Sequence, residues 1–138
     1  MNVHANILNM RKIINLYYEM IERRLNPTIN IHKLCLKAAI QDRDLTTCQY
    51  ILQQIKYDYK IKFDMKCWQL VLSFIQKEIN RYNNNNNQQK DDINHHNHDA
   101  NEDNNLNYNK INEYYEYEII LKNEMMKYNK NNKYYSSA

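Results

Sequence analysis

The segment TINIHKLCLKAA at residues 28–39 decides the fold, together with DMKCWQLVLSFI at residues 64–75. In both segments apolar residues recur at the spacing i, i+3, i+4, i+7 and i+8, which places them on one face of an α-helix. Adding 36 to a position in the first segment gives its counterpart in the second, and every mapped position is apolar. The mapped residues are Ile31, Leu34, Cys35, Ala38 and Ala39 in the first segment and Cys67, Leu70, Val71, Phe74 and Ile75 in the second.

A second type of helix alternates with the helices predicted for these two segments. The only proline, Pro27, ends the helix before it and permits a new helix just after it. Two helix types that recur at nearly one period predict a repeated antiparallel helix pair, and therefore an all-α fold in which about two and a half repeats stack as a short α-solenoid. The residues of the second type are Ile13, Leu16, Tyr17 and Met20, which map onto Cys48, Ile51, Leu52 and Ile55 by adding 35.

The helical pattern is interrupted by a long tract of Asn, Gln and charged residues. Such a tract cannot bury enough apolar surface to order itself, so it is predicted to be a disordered low-complexity insertion. The first predicted part is a helical repeat domain at 1–82, with a helix at about 9–24, a repeat pair at about 29–60 and the next helix at about 65–80. The Asn-rich insertion follows at 83–110. The final part, at 111–138, is predicted to contain a helix at about 112–128 and a disordered tail.

The composition excludes several classes of function. The 138 residues include 24 Asn and no Gly, so motifs in which bare backbone approaches phosphate, such as P-loops and Rossmann turns, are absent. The lack of glycine also disfavours short strands joined by tight turns. Residues 1–82 carry 13 Lys and Arg against 7 Asp and Glu, a net charge of +6, whereas residues 83–138 carry 6 against 9, a net charge of −3. The basic part suits a polyanionic partner without requiring one.

The cysteines and histidines give no metal or redox signature. Cys35, Cys48 and Cys67 lie 13 and 19 residues apart with no Cys-x-x-Cys pair, and they are interpreted as small buried apolar residues in a reducing compartment. The run HHNH at residues 95–98 lies in the Asn-rich tract, where no scaffold would hold ligands in order. No metal site and no cofactor are therefore predicted. No membrane span and no targeting segment are recognised either.

One stretch of the chain contains EMIERRLNPT at residues 19–28, then a helix that opens with IHKL at 31–34, and then Asp44-Leu45 leading into a second helix. This stretch resembles the pentatricopeptide repeat. CWQLV at 67–71 opens the next copy, and the resemblance covers about residues 9–80. It implies a right-handed superhelix whose first helices line a concave groove for single-stranded RNA, with about one base read by each repeat. It also implies a role in organellar RNA metabolism, in the mitochondrion or plastid.

The resemblance implies six RNA-binding residues, which lie near the start of each first helix, at the end of each repeat and between neighbouring bases. Lysine offers only donors and suits phosphate better than a base edge, so no base preference is predicted. Lys33 could instead form an ion pair with Asp64. The implied residues are Lys33 and Asp64 with Asn30 beside them, Gln69 with Lys66 beside it, and Thr28 at the end of the half repeat.

Two aromatic side chains occupy equivalent positions in the two copies. Trp68 could stack on a base, but it is equivalent to His32, at a position where the resemblance implies an aromatic residue inside the helix array, so packing is favoured. His32, one step from an apolar stripe, is interpreted as a packing or helix-surface residue.

Other functions stay open. A helical-repeat scaffold that holds a protein partner or further repeats fits the same fold, and so does the substrate-binding arm of a larger RNA-processing protein. No nucleophile, base and orienting acid form a set, so the chain is predicted not to be an enzyme and to have no small-molecule substrate. An apolar or acidic groove would favour a peptide or helix partner. RNA would be favoured by a single groove lined by Lys33, Lys37, Lys62, Lys66 and Gln69.

Overall fold

The computed structural model describes residues 3–58, 60–92 and 100–136, and these residues form helices and connecting loops with no strand among them. The predicted all-α class is confirmed. The chain divides into two compact units, Met1–Val71 and Leu72–Ala138, and the boundary falls inside a helix. The helices of the described residues are α1 Val3–Glu22, α2 Ile29–Gln41, α3 Leu45–Tyr57, α4 Met65–Asp92 and α5 Ala100–Ser136.

Two helices of the first unit end in the same way, with an arginine in a left-handed conformation. Arg24 after α1 and Arg43 after α2 both have φ of 58°. After α1, Arg24 N donates to Ile21 O at 3.0 Å and Leu25 N donates to Met20 O at 2.9 Å. This bond pair is the Schellman motif, whose left-handed position glycine usually fills. A chain without glycine has to place a residue with a Cβ there, which costs energy.

The first unit is built by α1 packing on α2 and α2 packing on α3. Arg11 of α1 strengthens this arrangement, because its Nη1 lies 3.0 Å from Asp42 Oδ2 and 3.3 Å from Asp44 Oδ2 in the α2–α3 loop. The buried apolar residues of this unit are Ile14, Tyr17, Cys35, Leu36, Ala38, Ala39, Leu45, Cys48, Ile51, Leu52, Ile55, Cys67, Trp68 and Val71.

The buried face of α1 differs by one residue from the predicted face. Leu16 is 59% exposed, whereas Ile14 is fully buried. Both possible faces satisfy helical spacing, but the rotated one turns the aromatic rings of Tyr17 and Tyr18 towards Tyr50 of α3, and these large rings bury more apolar area than Leu16 would. With this face, the buried Ile14 and Tyr17 of α1 correspond to the buried Cys48 and Ile51 of α3 by adding 34.

The second unit contains the rest of α4 and the whole of α5. The ring of Phe74 lies edge-on to that of Tyr114, with centroids 6.0 Å apart, and Asn83 Nδ2 donates to Tyr115 Oη at 3.4 Å. Ile75, Ile79, Ile111 and Leu121 are also buried among the residues of this unit whose side chains are described.

The predicted disordered insertion at 83–110 is not confirmed. Of its residues, 83–92 belong to α4 and 100–110 belong to α5. The tract contains no Gly and no Pro, so nothing in it breaks a helix that has already begun, and Asn costs no more than about 0.7 kcal/mol per helical residue relative to Ala. The histidine run at 95–98 lies outside the described residues, and α5 continues beyond the predicted helix to Ser136.

Candidate nucleic-acid interface

A groove lies between the start of α2 and the loop that joins α3 to α4. Its volume is about 540 Å³, which is within the usual range of ligand sites, roughly 300–1,000 Å³. All of its lining belongs to the first unit. The lining residues are Asn26, Pro27, Thr28, Ile29 and Lys33 on the α2 side and Asp58, Lys60, Ile61, Lys62, Phe63 and Asp64 on the loop side.

The two residues that the resemblance assigns to one base, Lys33 and Asp64, are bonded to each other. Lys33 Nζ lies 2.7 Å from Asp64 Oδ2, and the side chains are 33% and 22% exposed. The hydrogen bond from Lys33 lowers the pKa of Asp64 below its usual value, and the same bond raises the pKa of Lys33. Water screens a pair this exposed, so its contribution to stability is modest. The ammonium group of Lys33 is nevertheless paired with the carboxylate of Asp64.

Thr28 and Asp64 hold the same position at the start of two helices. Asp64 Oδ1 accepts a hydrogen bond from Lys66 N at 3.0 Å, and the Asp64 carbonyl accepts one from Cys67 N at 3.1 Å. Thr28 Oγ1 accepts from Ile31 N at 3.4 Å, and Thr28 is the N-cap of α2. Capping supplies partners for backbone N–H groups that the helix cannot satisfy itself. Both residues therefore have a structural role besides the one implied by the resemblance.

The remaining residues implied by the resemblance lie on the surface beside the groove. Asn30, Lys66 and Gln69 are exposed, and none of them lines the groove. Of the set expected to share one groove, Lys33 and Lys62 line it and the others do not. The structure thus brings three of the six residues together and places the other three on the outer faces of α2 and α4.

Three lysines, Lys33, Lys60 and Lys62, line this groove together with two aspartates. Two further lysines adjoin the groove without lining it: Lys37 lies on the same face of α2 as Lys33, one turn further on, and Lys66 lies two residues after Asp64. The nearby Asp58 turns its Oδ1 towards the backbone of its own loop, where it accepts from Lys60 N at 3.0 Å. We call this set the lysine surface; it consists of Lys33, Lys37, Lys60, Lys62 and Lys66, and all except Lys33 are exposed.

Phe63 and Ile61 are groove residues that the sequence analysis missed. Both are half-buried and line the groove, and the ring centroid of Phe63 lies 4.3 Å from that of the fully buried Trp68. Residues 60–64, KIKFD, alternate lysines with apolar residues. This alternation could have indicated a role for the loop in the groove, because a loop that only connects two helices has no need of two large apolar side chains.

Of the two roles predicted for His32, packing and helix surface, the structure shows packing. His32 is buried, and its Nδ1 lies 2.9 Å from Tyr17 Oη. Burial lowers the pKa of His32, and the nearby Asp58 partly opposes that shift. The side chain is therefore neutral at pH 7 and fixed by its bond to α1.

The three cysteines have no feature of reactive thiols. All are buried and none is in a disulfide. Burial raises the pKa of Cys48 to about 12 and that of Cys67 to about 11, and it also raises the pKa of Cys35. A reactive cysteine needs the opposite shift, because the thiolate is the nucleophile. Among the described residues, no three His, Cys, Asp or Glu side chains are grouped in a way that could hold a metal ion.

Within the described ranges, no helix combines the length and the hydropathy needed to cross a bilayer. Comparison of the chain with family models, with curated proteins and with solved structures finds no match of any of the three kinds.

Proposed function

We propose that the chain binds single-stranded RNA through the lysine surface, as a short helical-repeat protein of the pentatricopeptide-like kind. The observation that carries the proposal is a groove lined by three lysines and two aspartates, with two further exposed lysines, Lys37 and Lys66, on the adjoining helices. Phosphate neutralisation by lysines supplies most of the affinity in proteins that bind nucleic acid without base specificity. An organellar setting, in the mitochondrion or plastid, belongs to the same proposal.

The repeated local structure supports the solenoid part of the proposal. Four pairs of equivalent positions in 28–35 and 64–71 match in role, because both members cap a helix, are buried or are exposed. A solenoid is assembled from units with this kind of equivalence. We infer that α2 and α3 form one helix pair and that α4 opens the next. The matched residues are Thr28 with Asp64, His32 with Trp68, Leu34 with Leu70 and Cys35 with Val71.

The residues implied by the resemblance divide into two roles under this proposal. Lys66, together with the neighbouring lysines, contacts phosphate, since an ammonium group acts as a point charge. Asn30 and Gln69 face solvent, and their amides offer both donors and acceptors to a base edge. Asp64 holds Lys33 in place and caps α4, so it acts on RNA through Lys33 and not as a base reader.

A charge-removal experiment tests the proposal. Lys37, Lys62 and Lys66 are replaced together by Ala, and binding of labelled decauridylate is followed by fluorescence anisotropy at several salt concentrations. Each lost phosphate contact should reduce the slope of log affinity against log salt by about 0.7, so the triple variant should lose about 2. A slope that does not change would refute the role of the lysine surface.

The matched control removes three positive charges elsewhere in the first unit. Lys12, Arg23 and Lys56 are exposed, and none of them lines the groove or lies on α2 or α4. Their combined replacement by Ala changes the net charge equally. We expect it to change the salt slope much less than the groove-side triple variant does. Equal effects would mean that total charge, and not the lysine surface, determines binding.

Asp64→Asn should change RNA affinity in the opposite direction to the lysine replacements. Asn caps helices about as well as Asp, so the start of α4 should be retained while the charge that engages Lys33 is removed. RNA affinity should then rise and become more sensitive to salt. If Asp64 instead read a base directly, the same change would alter base preference and would not increase affinity for every sequence.

One observation favours a second candidate, a scaffold for a protein partner. Leu34 and Leu70 are 57% and 37% exposed at equivalent positions on α2 and α4, beside Lys33 and Gln69. Replacing both leucines by Gln should leave RNA affinity nearly unchanged if the lysine surface is the site, and it should abolish a protein interaction made through these side chains.

A further inference from the structure

We infer that the groove holds one nucleobase of the bound RNA against Phe63, with the adjoining phosphate near Lys60 and Lys62. The inference rests on the proposed RNA binding and adds to it a subsite in the α3–α4 loop. None of the three residues belongs to the six that the resemblance implies.

The apolar part of the groove suits a planar group. Pro27 is buried, while Ile29, Ile61 and Phe63 are half-buried and line the same space. The ring of Phe63 already packs against Trp68, at 4.3 Å between centroids and 40° between planes. A base stacked on Phe63 would extend this aromatic pair into the groove, and base–aromatic stacking tolerates every base because each has a π-face.

The charged part of the groove suits an anion next to that planar group. Both groove carboxylates already accept hydrogen bonds from this chain: Asp64 from Lys33 and from the backbone of Lys66, and Asp58 from the backbone of Lys60. The ammonium groups of Lys60 and Lys62 lie on exposed residues of the rim. A ligand with a flat apolar face and an attached negative charge matches both parts, and a nucleotide is such a ligand.

Trp68 provides a readout that the chain already contains. It is the only tryptophan, so all tryptophan emission comes from the ring that touches Phe63. A base in the groove should quench this emission. An oligomer of abasic ribose phosphate, which has the same charge, should leave it nearly unchanged.

The experiment uses the full chain with decauridylate and its abasic counterpart as probes. Phe63→Leu keeps an apolar side chain but removes the π-face. We expect this change to weaken decauridylate binding about 5- to 100-fold, the range that stacking energies imply, to suppress the quenching of Trp68, and to leave abasic binding unaltered. Phe74→Leu is the matched control, because Phe74 is the only other phenylalanine and does not line the groove.

Two results would overturn the inference while leaving the proposed function in place: salt-dependent binding of decauridylate that Phe63→Leu does not change, or equal responses of Trp68 to decauridylate and to the abasic probe. A Trp68 response to an acidic tyrosine-containing peptide but not to decauridylate would assign the groove to a protein ligand and overturn it too. Failure of the wild-type chain to bind decauridylate at all would overturn both proposals. Urea unfolding of each variant confirms that it is folded.

Discussion

Arg24→Gly should stabilise the chain, because Arg24 occupies the left-handed position of the Schellman motif that ends α1. Its φ of 58° brings Cβ close to the following carbonyl oxygen, which costs about 1–2 kcal/mol for a residue other than glycine. Glycine removes this cost but adds roughly 0.5–1 kcal/mol of unfolded-state entropy. The difference leaves a net gain of about 0.5–1 kcal/mol in the free energy of unfolding.

Urea unfolding followed by circular dichroism measures this gain. The midpoint should move to higher urea with an unchanged m-value, since the buried surface stays the same. In a thermal melt, a gain of about 0.5–1 kcal/mol corresponds to an increase of about 2–5 °C for a chain of this size. Arg43→Gly tests the equivalent position after α2, and its gain should be smaller because Arg43 makes a further interaction.

Two controls separate backbone strain from loss of the side chain. Arg24→Ala removes the guanidinium group but keeps Cβ, so it should not be stabilising. Arg23→Gly places glycine one residue earlier, where φ is not positive, and it also removes the ion pair with Glu19 at 2.6 Å, so it should be destabilising. If Arg24→Gly is no more stable than Arg24→Ala, the strain account of these helix ends is wrong.

Three other predictions concern the first unit. Because burial lowers the folded-state pKa of His32, the unfolded chain binds the proton more readily. The contribution of His32 to the free energy of unfolding should therefore be constant above about pH 6.5 and fall as pH decreases below it, and His32→Gln measured over the same pH series should lack this component. Tyr17→Phe should cost about 1–3 kcal/mol because it removes the partner of buried His32 Nδ1, whereas Tyr18→Phe should cost less because Thr47 Oγ1 keeps its bond to Asp44; urea unfolding compares the two. Thr28→Ala should cost about 0.5–2 kcal/mol by removing the cap of α2, and Thr28→Ser should be nearly neutral, so equal losses would contradict the capping role.

Local chemistry in the sequence was sufficient to predict the helices of the first unit. Pro27 marked the boundary between α1 and α2, and the apolar spacing of α3 predicted four of its six buried residues but not Leu45 and Thr47. The register of α1 could not be predicted in the same way, since two faces one residue apart satisfy the same spacing. Contacts with Tyr50, which belongs to another helix, decide between them.

The groove could be predicted only in part. The caps at Thr28 and Asp64 follow from residue type and position, and the Lys33–Asp64 pair was one of the open alternatives. The contribution of Phe63 depends on how the α3–α4 loop approaches the start of α2, which is a tertiary arrangement without a local sequence rule. Over the Asn-rich tract, composition predicts disorder, whereas the lack of Gly and Pro permits α4 and α5 to include residues of the tract.

The three thiols are distributed one to a helix, Cys35 in α2, Cys48 in α3 and Cys67 in α4, and all are shielded from solvent. Partial openings of a protein expose some segments well before the whole chain unfolds. Alkylation rates of variants that retain a single cysteine would therefore rank these helices by how often each detaches, without any added label. An array of stacked pairs should fray from its outermost helix inwards, whereas a single cooperative bundle should release all three sulfhydryls at one common rate.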